Sequence, residues 1–169
     1  ASGTYTVQTG DASSDLNAKS ISVSGTISDA SDQAMVDFSI GSNLASSKAI
    51  VVDALSPTVA SVKSTSNNTT YGTGGTINIT VNFSEKVTLT GNDSAMVVTL
   101  ETGSTDRTVS MALPINSATS ASGTYTVQDG DTSIDLNVNS IVLTGAAPDI
   151  YPAQLKDEAG NVMSSFSIP

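Results

Sequence analysis

The sequence has no cysteine, no histidine and no tryptophan, and aromatic residues make up only 4% of it. Without cysteine the chain has no disulfide, no thiolate zinc site and no cysteine nucleophile. Without histidine it lacks the side chain that most often acts as a general base near neutral pH. These absences predict that the protein is not an enzyme.

Positive charge is also scarce, with 6 Lys and Arg against 16 Asp and Glu and a net charge of −10. Nucleic-acid binding needs clustered Lys and Arg, so no nucleic-acid partner is expected. Two interpretations of the acidic excess remain open. It serves solubility on a solvated surface, or it binds a hard cation such as calcium, which takes oxygen ligands. The acids cluster in predicted loops, which favours calcium.

Long apolar runs are absent, so no membrane span is predicted, and any export signal is expected outside this stretch. Short alternating segments of Val, Ile, Thr and Ser occur instead, separated by Gly, Asn, Asp and Ser. This two-residue period is typical of half-buried antiparallel strands.

One stretch of the sequence occurs twice. Residues 1–25 recur at 121–145 with a constant offset of 120, and 17 of the 25 positions are identical, including the run from Ala1 to Gln8. Residues 29–40 also align with 157–168, at an offset of 128. The difference between the offsets places extra residues in the second copy, around Ala147–Gln154. The duplication predicts a tandem repeat.

The duplication divides the chain into three parts. Residues 1–52 are interpreted as the C-terminal half of one repeat, 53–56 as a linker and 57–169 as a complete repeat. About seven strands in 57–169 predict an all-β fold, an immunoglobulin-like antiparallel β-sandwich. The half repeat has about three predicted strands, Thr4–Gln8, Ser20–Ser24 and Ala34–Ile40. Three strands cannot cover their own apolar face, so preceding polypeptide or another chain is expected to complete them.

Within the complete repeat, a turn at residues 84–86 is predicted to separate two strands. The predicted strands are Thr58–Thr65, Thr76–Phe83, Val87–Thr90, Ala95–Glu101, Arg107–Leu113, Gly123–Gln128, Asn139–Thr144 and Val162–Ile168.

Four segments resemble tandem bacterial Ig-like domains. SKAIVVDALSPTV at 47–59 is similar to the linker KAIVIDTTAPTV, and NFSEKV at 82–87 is similar to TFSEAV. DGDTSIDL at 129–136 resembles AAGDTSTDLDY, and KDEAGN at 156–161 resembles KDAAGN. The resemblance implies a module of long secreted or surface-anchored proteins, often adhesins. It also implies calcium at or near domain junctions.

The sequence departs from this family's pattern in three places. Ala54 and Leu55 replace the usual Thr-Thr of the linker, and the loop before Asp157 is enlarged. Asp32 and Gln33 replace the Gly-Asn of the family's turn. Because Asp tolerates a left-handed backbone less well than Gly, this change questions the turn in the first copy.

The acidic side chains suggest a metal site at the junction between units. Strand alternation is expected to bring Glu85, Asp157 and Asn161 to one end of the sandwich, where Asp53 enters from the linker. Asp11 and Asp15 would face them from the preceding unit, and Asp129, Asp131 and Asp135 repeat that loop at the opposite end. In the alternative interpretation these side chains only cap turns. Tyr5 and Tyr125 are expected to be core or half-buried side chains.

The sequence thus predicts a structural, non-catalytic repeat of a long extracellular bacterial surface protein or filament, stiffened by calcium. An adhesin stalk and a self-assembling fibre or sheath both remain open. The expected partners are neighbouring repeats of the same or an adjacent chain, together with a possible ligand on a cell surface or matrix. The alternative is a carbohydrate- or ligand-binding accessory module of a secreted enzyme, for which Tyr151 in the enlarged loop is the candidate.

Overall fold

A computed structural model describes residues 2–91, 93–145 and 152–169. The chain forms two compact units, Ala1–Leu55 and Ser56–Pro169. The boundary lies inside the predicted linker. Each unit is described by itself.

The first unit contains little regular structure. Strand β1 (Ala12–Ser13) pairs antiparallel with β2 (Val52–Asp53), and one turn of 3-10 helix covers Leu44–Ser46. An isolated bridge joins Ser28 to Ala34. The strands expected at residues 4–8, 20–24 and 34–40 are not formed, so that prediction was wrong. An extended segment becomes a strand only where a neighbouring segment pairs with it.

The second unit is built from seven strands among the described residues, whereas eight segments were predicted as strands. They are β3 (Val59–Lys63), β4 (Thr76–Thr90), β5 (Ala95–Glu101), β6 (Arg107–Ser110), β7 (Ala118–Thr126), β8 (Asn137–Thr144) and β9 (Gln154–Lys156).

These strands form two antiparallel sheets. One has the order β3-β4-β7, with β9 also paired to β4, and the other has the order β6-β5-β8. Inward residues of both sheets pack into one apolar core, as in a β-sandwich. The all-β, antiparallel prediction is confirmed. The core contains Val59, Ile79, Val81, Phe83, Val87, Met96, Val98, Leu100, Val109, Ile141, Tyr125 and Leu155.

Strand β4 replaces the turn that was predicted at residues 84–86. The chain continues through Ser84–Lys86 as strand, and the pairing register with β7 shifts between Asn82 and Val87. No Gly, Pro or Asn occurs at 84–86 to reverse the chain. An irregularity in one long strand therefore takes the place of the turn.

The closing strand predicted at 162–168 is also wrong. Only an isolated bridge joins Val162 to Lys156, and the amide of Met163 donates to the carbonyl oxygen of Leu155 at 2.8 Å. The strand at this position is β9, part of which was expected to be irregular loop. Its partner is the second half of β4, where Leu89 faces Leu155.

Candidate functional site

The carboxylate of Asp131 holds a turn together in the second unit. The Tyr125 hydroxyl and the amide of Gln128 (2.8 Å) donate to its Oδ2, and Arg107 Nε donates to its Oδ1 at 2.8 Å. Gly130 within this turn has φ of 83°, a left-handed conformation suited to glycine. Both carboxylate oxygens are therefore engaged by the protein itself, which is the turn-capping role.

The first unit repeats this turn without the arginine. The Tyr5 hydroxyl and the amide of Gln8 donate to Oδ2 of Asp11, and Gly10 has φ of 89°. The amide of Asp11 donates to the carbonyl oxygen of Gln8, as that of Asp131 does to Gln128. The two copies of the duplicated sequence therefore form the same local hydrogen bonds.

These hydrogen bonds shift the pKa values of both partners. The Tyr125 hydroxyl and the Gln128 amide stabilise ionised Asp131, with help from Arg107, and lower the pKa of that carboxyl although desolvation opposes the shift. Burial and the adjacent carboxylate raise the pKa of Tyr125 to about 12. In the first unit, the hydrogen bond between Tyr5 and Asp11 lowers the pKa of Asp11 and raises that of Tyr5.

A second turn surrounds Asp157, which is buried. Its Oδ1 accepts from the amide of Asn161 and its Oδ2 accepts from Asn161 Nδ2, both at 2.8 Å. Gly160 between them has φ of 94°. Each carboxylate oxygen keeps a further lone pair, so this turn cap could still contribute a metal ligand.

The equivalent turn of the first unit is present despite its changed sequence. Asp29 Oδ1 accepts from the amides of Ser31 and Gln33 at 2.8 and 2.9 Å. Asp32 takes φ of 59° at the position of Gly160. The doubt about this turn was therefore unfounded, since Asp is one of the few residues with a side chain that enters the left-handed region.

Glu85 and Asp157 are brought together at one end of the second unit. A carboxylate oxygen of Glu85 and one of Asp157 lie within 4.8 Å of each other. Two like charges this close repel, and a hard cation between them would offset the repulsion. Asn161, hydrogen-bonded to Asp157, adds an amide group at the same place.

The other predicted metal ligands are described within their own units. Asp53 is on β2 of the first unit, where its carboxylate accepts from the amide of Leu55 at 3.2 Å. Asp15 and Asp129 are exposed, and Asp131 belongs to the Tyr125 turn. Tyr151 of the alternative carbohydrate module lies outside the described residues.

The two units differ sharply in the burial of equivalent apolar residues. Tyr5 is 55% exposed and Tyr125 4%, Ile27 is 48% exposed and Leu155 0%, and Met35 is 51% exposed and Met163 3%. In the second unit these positions contact a core to which β3, β4 and β5 contribute. The sequence predicts an uncovered apolar face in the first unit, and the exposed Tyr5, Ile27 and Met35 are the side chains that such a face would contain.

Among the described residues, no helix has the length and apolar content needed to cross a membrane. Compared with family models, curated proteins and solved structures, the chain matches none of them.

Proposed function

We propose that this chain is a structural, non-catalytic segment of a long extracellular bacterial surface protein or filament, built from Ig-like sandwich repeats. In this proposal the second unit is a complete repeat and the first unit is the closing half of another. Serial sandwiches supply length, and the mainly Ser- and Thr-rich surface limits nonspecific contact. Adhesin stalks and self-assembling fibres both need these properties.

One observation carries the proposal. The duplicated residues form the same turns in both units, yet their apolar side chains are buried in one unit and exposed in the other. An apolar face of this kind costs free energy in water, so it marks an interaction surface. The partner that fits is the opening half of a repeat, supplied by the same or an adjacent chain.

Limited proteolysis of the 169-residue chain tests this division. Proteases cut where backbone opens readily, and the core formed by the described residues lies in the second unit. We expect the first cuts between residues 14 and 40, leaving a resistant fragment that contains 56–169. Early cuts within β4 or β5, with residues 2–40 resistant, would contradict the proposal.

We further propose that Glu85 and Asp157, with Asn161, bind calcium. The proximity of two carboxylates and the oxygen chemistry of the set support this ligand. A cation held there would join the middle of β4 to the turn that follows β9. Participation of Asp53, Asp11 and Asp15 stays a prediction from the sequence.

Thermal melts with calcium and with EDTA test the metal site. A ligand at about 100 times its Kd stabilises the folded state by about 2.7 kcal/mol, which corresponds to about 10 °C in Tm for a unit of this size. Glu85→Gln should remove most of this response. Glu158→Gln is the matched control, because it removes the same charge from the exposed partner of Lys86. Equal melting with calcium and EDTA would refute the site.

A further inference from the structure

In the first unit, residues 50–54 lie against the loop that contains β1. The contacts are backbone hydrogen bonds from Gly10 N to Ala54 O (3.0 Å), from Ala54 N to Asp11 O (2.8 Å) and from Leu16 N to Ile50 O (2.8 Å), with Ala12 paired to Asp53 and Ser13 to Val52. Residues 50–54 therefore act as a strand added to residues 10–16. Val52, at the centre of this segment, is buried.

The second unit carries the same loop at residues 130–136. Five of the seven positions are identical to their counterparts, whereas Thr132 replaces Ala12 and Ile134 replaces Ser14. The turn that shapes the loop is also the same in both units. Within the described part of the chain, neither the Gly130 amide nor the Asp131 carbonyl has a backbone hydrogen-bond partner. These are the groups that bind Ala54 in the first unit.

The loop is fixed from its other side. The amide of Thr132 donates to the carbonyl oxygen of Thr102 at 2.9 Å, which attaches the loop to the end of β5. Successive backbone groups of an extended segment point to opposite edges. The edge that bears the Asp131 carbonyl therefore faces away from Thr102. It is already formed before any partner strand binds.

A cavity lies beside this loop. It has a volume of about 670 Å³ and a mixed polar and apolar lining, to which Leu100, Tyr125 and Ile168 contribute together with Ser133 and Leu136 of the loop. Ser133 is the counterpart of Ser13, the residue paired with Val52. A side chain of valine size on an added strand would thus have this cavity beside its backbone partner, with Leu136 and Ile168 available for apolar contact.

We propose that residues 130–136 are a strand-addition site for an extended polypeptide segment with the chemistry of Ile50–Ala54, two valines followed by Asp and Ala. Backbone hydrogen bonds would supply affinity and the valine at the position of Val52 would supply specificity, as in other cases of strand addition. The inference needs only the equivalence of the two loops, and it stands independently of the proposed function.

The occupant is limited to this short segment. In the first unit Asn43 also contacts the chain, since its side chain bonds to the amide and the carbonyl of Ala18. The counterpart of Ala18 in the second unit is Val138, and its backbone is already paired with Leu100 in the β5–β8 ladder. The Asn43 contacts are therefore not part of the proposed site.

Appending a copy of residues 42–55 after Pro169 of the full chain tests the proposal. A short tether gives an effective concentration in the millimolar range, enough to reveal modest affinity. We expect amide exchange of Gly130, followed by NMR, to slow at least about tenfold because its N–H gains a partner.

The matched control carries Ala54→Pro in the appended copy, which removes the donor to the Asp131 carbonyl. Slowing with the unmodified tail and not with the proline tail would support the site. Unchanged exchange with the unmodified tail, or equal slowing with both tails, would overturn it. Proteolysis of the original chain remains a separate test of the proposed function.

Discussion

At the scale of single residues, Tyr5 and Tyr125 show that hydrogen bonding and burial have different origins. Both lie in the same eight-residue run, and both donate to the Asp six positions later. Residues close in sequence are sufficient for this bond, so it forms in either unit. Burial needs contacts with strands that are distant in sequence. The second unit supplies them around Tyr125, whereas Tyr5 stays exposed.

The raised pKa of Tyr125 gives a pH prediction. Folded Tyr125 keeps its proton up to a pKa of about 12, whereas an ordinary tyrosine loses it near 10.0. Its contribution to stability is therefore complete below pH 10 and is lost as pH rises from 10 to 12. Tyr125→Phe should remove this alkaline loss, measured by denaturant unfolding across that range.

The same variant should also cost about 1–2 kcal/mol at pH 7, because Asp131 loses a hydrogen-bond donor. Tyr5→Phe is the matched control, since Tyr5 lies outside the second unit's core. It should leave unfolding of the second unit unchanged at every pH. An alkaline transition that persists in Tyr125→Phe would contradict the assignment.

Part of the site could be read from the residues, and part could not. The duplication located the Asp11 and Asp131 loops, with turn capping as one of two open roles. Arg107 gave no comparable signal, because it lies in β6 and no copy of β6 occurs in residues 1–55. Its ion pair with Asp131 depends on packing between segments distant in sequence.

At the scale of elements, prediction succeeded where alternating residues also found pairing partners. Strand β5 has the predicted bounds, and its Met96, Val98 and Leu100 point into the core as the two-residue period requires. Comparable alternation in the first unit produced no strands. Sequence pattern indicates which face is apolar, whereas strand formation requires a neighbour.

Gly123 on β7 gives a prediction at this scale. A Cβ atom there would lie 2.6 Å from Val109 Cγ1 and 2.8 Å from the carbonyl oxygen of Ser110. Gly123→Ala should therefore destabilise the second unit by about 1–3 kcal/mol, measured by denaturant unfolding.

Gly3 occupies the equivalent position in the first unit, where a Cβ would meet nothing within 4 Å. Gly3→Ala should change stability by less than about 0.5 kcal/mol. If Gly123→Ala and Gly3→Ala changed the free energy of unfolding equally, the close contacts around Gly123 would not be the cause of the destabilisation.

At the scale of the whole molecule, the account depends on what would cover the first unit. The second unit buries its core with strands from residues 59–110 packed against β7, β8 and β9. The first unit contains the counterparts of the latter group alone. From the duplication and the small number of strands, the sequence predicts that the first unit is the closing half of a repeat.

The most direct measurement is made on a chain in which an opening half of a repeat is joined to the first unit. A copy of residues 57–120 placed before Ala1 would precede it as Ser120 precedes Ala121, and hydrogen exchange followed by mass spectrometry would report on residues 2–40. We predict exchange at least about a hundredfold slower than in the original chain, because the added strands bury Tyr5, Ile27 and Met35. The control extension carries Val98→Asp and Leu100→Asp in the added copy and should give no slowing. Fast exchange of residues 2–40 in the intact extension would contradict the claim that the first unit is the closing half of a repeat.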